Sequence, residues 1–220
     1  MNDVQNIENI AGLAEAPGVA RAGVVLAATD PVPPSKRALD LVLVFLALPL
    51  ILPLMLFIAV LIRIVSRGPV LFRQQRIGYR GNPFMIFKFR TMLVNADTTV
   101  HQAHLNQLMD MNIPMEKMDA QGDPRLIPFG RILRASGLDE LPQIINVLMG
   151  DMSLVGPRPC LQYEYDKYEP WQKERFHTLP GLTGLWQVSG KNRTTFRQMM
   201  DLDIAYVRTH TRWLDRKSVV

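Results

Sequence analysis

Cysteine is almost missing. Cys160 is the single one in 220 residues, which excludes an internal disulfide framework and a cysteine-rich zinc site and fits a reducing compartment. Histidine is scarce as well, with four residues; His101 and His104 stand one helical turn apart, but no third ligand is near, so no metal site is expected there. Walker, Rossmann and kinase glycine patterns are all absent, which removes the common nucleotide-binding loops. The first basic residue, Arg21, follows Asp3, Glu8 and Glu15, so the N-terminus does not read as a secretory signal. The most informative absence is of charge: residues 41–62 carry none.

As a straight helix that stretch would be about 33 Å long, enough to cross a bilayer core. Pro49 and Pro53 lie inside it, each removing a backbone donor and costing roughly 3 kcal/mol in an ordinary helix interior. Basic residues flank both ends, Lys36 and Arg37 before, Arg63, Arg67, Arg73 and Arg76 after, whereas a single span usually has them on the cytoplasmic side only. The reading favours a re-entrant helix-break-helix over 35–67, with Pro49 and Pro53 as the break, over a span; a buried hairpin in a soluble core is a third reading. Residues 1–34, rich in Ala, Gly and Pro, are expected to be a disordered leader. Residues 68–220 are expected to form one catalytic or binding domain.

The net charge of +5 favours anionic partners: nucleic acid, acidic headgroups or a phosphorylated small molecule. In 68–92, apolar and polar residues alternate on both sides of "GYRGNP", which predicts a β-hairpin whose arms carry Arg73, Arg76, Lys88 and Arg90. Residues 95–121 read as two short surface helices broken at Pro114. Then "LDELPQIINVLMG" spaces Leu141, Ile144, Ile145 and Leu148 as an amphipathic helix over 139–149, with Gly150 as its stop and Asp139 at or near the N-cap. Arg125, Arg131, Arg134 and Arg158 bracket the adjacent carboxylates Asp139 and Glu140.

A capping role for Asp139 competes here with chemistry. Adjacent carboxylates repel unless a cation lies between or beside them. A divalent ion, phosphate oxygens and several arginines would suit phosphoryl transfer, in which a carboxylate can serve as nucleophile. The glycine-rich "PGLTGLWQVSGKN", 180–192, either stacks a base or sugar on Trp186 or is a packed loop with one buried indole. Stretches 161–177 and 194–215 read as amphipathic helices, either lying along a headgroup layer or closing the core.

The motifs "KFRTM", "DPRLIPFGRILR", "LDELPQIINVLMGDMSLVGPRP", "PGLTGLWQVSGKN" and "LDIAYV", in this order over roughly 35–217, closely resemble the bacterial sugar transferases, the monotopic phosphoglycosyl transferases. The resemblance implies a mainly α fold with a small β-hairpin. In it a re-entrant membrane helix hairpin precedes a compact catalytic domain with interfacial amphipathic helices, facing the cytoplasm at the bacterial inner membrane. It implies transfer of a sugar-1-phosphate, galactose or glucose by general likeness, from a UDP-sugar to undecaprenyl phosphate, with release of UMP, to start exopolysaccharide assembly. Asp139 takes the place of the family's nucleophile and Mg²⁺ ligand, and Glu140 that of its acidic partner. Lys88, Arg134 and Arg158 match phosphate or substrate contacts, with Arg90 and Lys191 as further candidates.

Two departures stand out. Leu52 precedes Pro53 where relatives have Ser, and Lys191 stands where Arg is common, keeping charge without a bidentate fork. The chain stops soon after "WLDRK", where relatives often continue. The competing reading is a catalytically silent membrane scaffold of a polysaccharide assembly complex, with Asp139 merely a cap. Nucleic-acid binding is disfavoured, because the basic residues cluster with carboxylates and an apolar segment instead of forming one stripe. Homo-oligomerisation is left open.

Overall fold

Pro34 opens the longest element, α1 (Pro34–Val65), at a first-turn position where a missing N–H has no helical acceptor to lose. The computed structural model describes residues 32–94, 111, 123, 125–189 and 194–209. The expected leader up to residue 31, nearly all of 95–121 including His101 and His104, and Lys191 lie outside those residues.

The interruption expected at Pro49 and Pro53 is absent as a break: hydrogen-bonded helix runs through both. Packing along one side offsets the two missing donors. Val44, Ile58 and Ile62 are buried, and Leu48, Ile51, Met55 and Ala59 pack partly against the body. Three full burials at about 1.5–3 kcal/mol each match the proline penalty. Both prolines lie on the exposed side, where ring–carbonyl clash opens the outer face and favours curvature toward the body. Between Val42 and Val60 that outer face is apolar, with Leu46 71%, Leu50 80% and Phe57 66% exposed.

Both ends of α1 are tied to the same body. At its start Lys36 donates to the Tyr206 hydroxyl at 3.1 Å, and Arg37 donates to the carbonyls of Val147 and Leu148. Asp40 accepts from the Ser153 hydroxyl at 2.8 Å and the Leu154 N–H at 3.2 Å. At its end Arg90 donates to the carbonyls of Ser66 and Arg67, each at 2.9 Å.

The hairpin forms as the turn chemistry predicts. β1 (Leu71–Ile77) pairs antiparallel with β2 (Pro83–Phe89), Arg73 opposite Phe87, across a 3-10 turn at Tyr79–Gly81 in which Arg80 takes a positive φ. Next come α2 (Gly130–Ser136), a 3-10 turn at Leu138–Glu140 and α3 (Gln143–Met149). The single helix expected over 139–149 is therefore split. Pro142 is the N-cap of α3, and Asp139, inside the preceding turn, makes no side-chain cap, because the proline's missing N–H starts the α-helical ladder three residues late. Gly150 does stop α3, with φ 93° and its N–H shared by the carbonyls of Asn146 and Val147.

A parallel pair follows, β3 (Ser153–Val155) with β4 (Gly181–Thr183), which the sequence did not announce. At Gly156 a Cβ would lie 2.3 Å from the Leu179 carbonyl oxygen, so only glycine admits this backbone approach. Stretch 161–177 is two pieces, α4 (Gln162–Lys167) and a 3-10 turn at Gln172–His177. The glycine-rich loop holds β4 and the short α5 (Leu185–Val188), with Trp186 buried, so the indole packs and offers no stacking platform. α6 (Phe196–Thr209) closes the largest cluster through Phe196, Met199, Met200, Leu202 and Tyr206. The fold is mostly helical with a small sheet and one long apolar N-terminal helix.

Candidate active site

Three apolar clusters hold the segments that carry the charged side chains. Leu138 and Leu141 pack on the cluster around Ile58, Ile62 and Phe89, and Ile144 and Val147 on the one around Val44 and Met152. Val155 and Cys160, on either side of Arg158, belong to the third. Charged side chains are thus held on a rigid frame, as a preorganised site requires.

Glu140 is the hub. Lys88, from β2, donates to its Oε1 at 2.7 Å, and Arg158, from the loop after β3, donates to Oε1 at 2.8 Å and to Oε2 at 3.4 Å. Burial pushes the Glu140 carboxyl up, but Arg158 and Lys88 outweigh it and hold the group well below the usual carboxylate range. Burial and then Arg158 pull the Lys88 ammonium down to about 8, against Glu140. The repulsion between adjacent carboxylates is therefore met largely by protein cations at Glu140.

Asp139 differs. It is buried, and among the described residues its carboxylate takes no hydrogen bond or ion pair. Burial pushes its pKa up, Lys88 pulls it down, and Glu140 adds to the rise. Arg134, in the last turn of α2, is near enough to favour the ionised form. The structure thus brings Asp139, Glu140, Lys88, Arg134 and Arg158 together. Arg90 is placed elsewhere, its guanidinium taken up by the carbonyls at the exit of α1.

The sequence reading passed over a second layer. Arg175 donates to the Arg158 carbonyl at 2.9 Å and pairs with Asp203 at 2.6 Å, both side chains almost fully buried. The available signal was a carboxylate on the apolar face of α6. Asn146, fully buried, accepts from the Phe87 N–H and donates to the Met85 carbonyl, clamping β2 so that Lys88 meets Glu140; its signal was an amide amid Ile145 and Val147.

A cation-bridged carboxylate beside one that takes no partner among the described residues, on a body lined by a helix long and apolar enough to cross a membrane, has the charge layout of a site for anionic groups. Residues 33–220 match the family described as bacterial sugar transferase. The chain is 43% identical over 194 residues to the UDP-glucose:undecaprenyl-phosphate glucose-1-phosphate transferase of Caulobacter vibrioides, covering 84% of this chain and 67% of that one. It is 36% identical to the exopolysaccharide production protein ExoY of Sinorhizobium fredii, covering 79% and 77%. Against the galactosyl transferase CpsE of Streptococcus agalactiae identity is 42%, over 70% of this chain but 33% of the relative. The chain belongs to the bacterial sugar transferase family, and with it to the sugar-phosphate transferase enzymes.

Proposed function

We propose that the protein transfers a sugar-1-phosphate, galactose or glucose, from a UDP-sugar to undecaprenyl phosphate at the cytoplasmic face of the bacterial inner membrane, releasing UMP and starting an exopolysaccharide repeat unit. The observation that carries this is the Asp139 carboxylate, unpaired among the described residues, beside the Lys88–Glu140–Arg158 bridge. The relatives' names supply the substrates.

In the first step an Asp139 carboxylate oxygen attacks the sugar-bearing phosphorus. The new P–O bond forms as the diphosphate bridge breaks, and UMP leaves with the bridging oxygen and the electron pair. In the second step a phosphate oxygen of the lipid attacks the same phosphorus, the bond to Asp139 breaks, and the carboxylate is restored. Lys88, Arg134 and Arg158 balance charge on the phosphoryl oxygens, and Glu140 fixes two of these cations in place. Lys191 remains a further candidate for substrate contact.

The donor set suits Mg²⁺, which takes one or two carboxylates and completes its shell with substrate phosphates and water. Asp139 offers a carboxylate that takes no hydrogen bond or ion pair among the described residues. When bound, Mg²⁺ would neutralise diphosphate charge.

The topology we propose is non-spanning, both ends of α1 facing the cytoplasm. A helix docked at both ends on one body cannot deliver those ends to opposite sides of a bilayer, and its outer apolar face is left for lipid. Transfer of labelled sugar phosphate from UDP-galactose or UDP-glucose to undecaprenyl phosphate in detergent tests the activity. Product is expected with Mg²⁺, and a loss of about 1000-fold or more in Asp139→Asn. No product from either donor, or equal product from Asp139→Asn, contradicts the reading.

A further inference from the structure

We infer that Arg76 is a further phosphate-binding residue of this site, its guanidinium taking phosphoryl oxygens of a bound substrate, either the donor's diphosphate or the lipid acceptor's phosphate. The inference rests on the transferase reading above.

The strand register places it. Phe72 lies opposite Lys88, Gln74 opposite Ile86 and Arg76 opposite Phe84. Directly opposed residues share a face and alternate residues return to it, so Arg76 and Lys88 project from the same side of the hairpin. On that side Lys88 meets Glu140. Arg76 also adjoins the loop that carries Arg158: its Nη1 reaches the Pro159 carbonyl at 3.5 Å, the outer limit of a hydrogen bond.

Its own needs are poorly met. Nη2 donates to Gln74 Oε1 at 2.9 Å, and Nε is buried with no hydrogen-bond partner. Among the described residues no carboxylate comes within ion-pair distance of Arg76, whereas Lys88 and Arg158 share Glu140. Glu164 supplies the nearest favourable field, but its oxygen faces the Tyr168 hydroxyl at 3.4 Å. Burial lowers the Arg76 pKa, and Arg158 lowers it further, yet a guanidinium does not give up its proton near neutrality. A half-buried cation whose Nε is shut from solvent, beside two others, is unfavourable until an anion arrives to complete the set. The planar fork of arginine fits phosphate oxygens in pairs, and a phosphorylated substrate is the anion this site is built around.

The test is steady-state transfer from UDP-sugar to undecaprenyl phosphate by the full chain in detergent, comparing wild type, Arg76→Gln and Arg76→Lys, with thermal midpoints alongside. Arg76→Gln is expected to raise one KM about tenfold, with its midpoint within about 2 °C of wild type. Arg76→Lys should recover part of the loss. A rise in the donor KM assigns the diphosphate, and a rise in the acceptor KM the lipid phosphate. Unchanged KM values overturn the inference, whether kcat and midpoint are unchanged or fall through a loosened Pro159 loop. If Arg76→Gln does not fold, Arg76→Lys decides, with a KM rise of a few-fold expected and a wild-type KM contradicting. If the wild type transfers nothing, the transferase reading fails, and calorimetric binding of inorganic pyrophosphate then tests Arg76 separately: Arg76→Lys should weaken it, and equal affinity would overturn the inference.

Discussion

At the residue scale, Lys88 sets a pH limit on the site. Burial and Arg158 bring its ammonium to about 8, so the charge offered to phosphate disappears as pH rises through that value. kcat/KM for the donor, which reports the free enzyme, should fall above about pH 8. Lys88→Arg keeps its charge and should carry activity to higher pH. Stability should move the other way: between about 8 and the ordinary 10.5 the unfolded chain holds the proton that the folded chain has released, so unfolding free energy rises with pH there. A donor profile flat to pH 10 in the wild type would contradict this account. Arg134 and Arg158 were legible beside the acidic pair from charge and chain order, which survive in a sequence, whereas Lys88 came from the family's motif and Arg125 pairs with Asp123 instead. Arg90 shows what does not survive: its charge is visible, but nothing in "KFRTM" says that its donors go to the carbonyls of Ser66 and Arg67.

At the element scale, α1 is held by polar contacts at both ends and an apolar stripe between them. Asp40 is one of its two buried charged residues, with Lys36, and accepts from Ser153 and Leu154 of β3. Asp40→Ala leaves those donors without the carboxylate and should cost about 2–3 kcal/mol, read as a lower unfolding midpoint in detergent; an unchanged midpoint would show the clamp to be idle. Topology has its own reading. Single cysteines replacing Ser35 and Ser66 should label from the same side with an impermeant thiol reagent, and opposite labelling would mean a span. Cys160 gives little background, being buried with its thiol pushed up to about 12. The β1–β2 hairpin was legible because its turn residues are local. β3 and β4 were not, since two three-residue strands carry no period of their own and pair across a long separation. The 139–149 helix was misplaced because apolar spacing reads straight through Pro142, while the backbone cannot.

At the scale of the whole molecule, the Arg175–Asp203 pair joins the 3-10 turn at Gln172–His177 to α6 and supports the Arg158 loop from behind. Asp203→Ala leaves a buried guanidinium uncompensated and should destabilise by about 3–5 kcal/mol, while the double change Arg175→Met with Asp203→Leu should recover much of that. Chemical denaturation of the three proteins checks both, and equal stability of single and double variants would contradict it. Such long-range pairs escape the sequence, where Arg175 and Asp203 are two charges among many. The order of parts was visible, with an apolar segment ahead of the hairpin and the acidic pair after it. How α1 lies along the body came only with the packing of Val44, Ile58 and Ile62.

Asp139 lies where these scales meet, and intact-mass spectrometry of the protein incubated with UDP-galactose or UDP-glucose, Mg²⁺ and no lipid acceptor tests its role most directly. The account predicts a species heavier by one sugar phosphate, absent in Asp139→Asn and discharged when undecaprenyl phosphate is added. Wild-type protein that never carries the adduct, together with turnover that persists in Asp139→Asn, would contradict it.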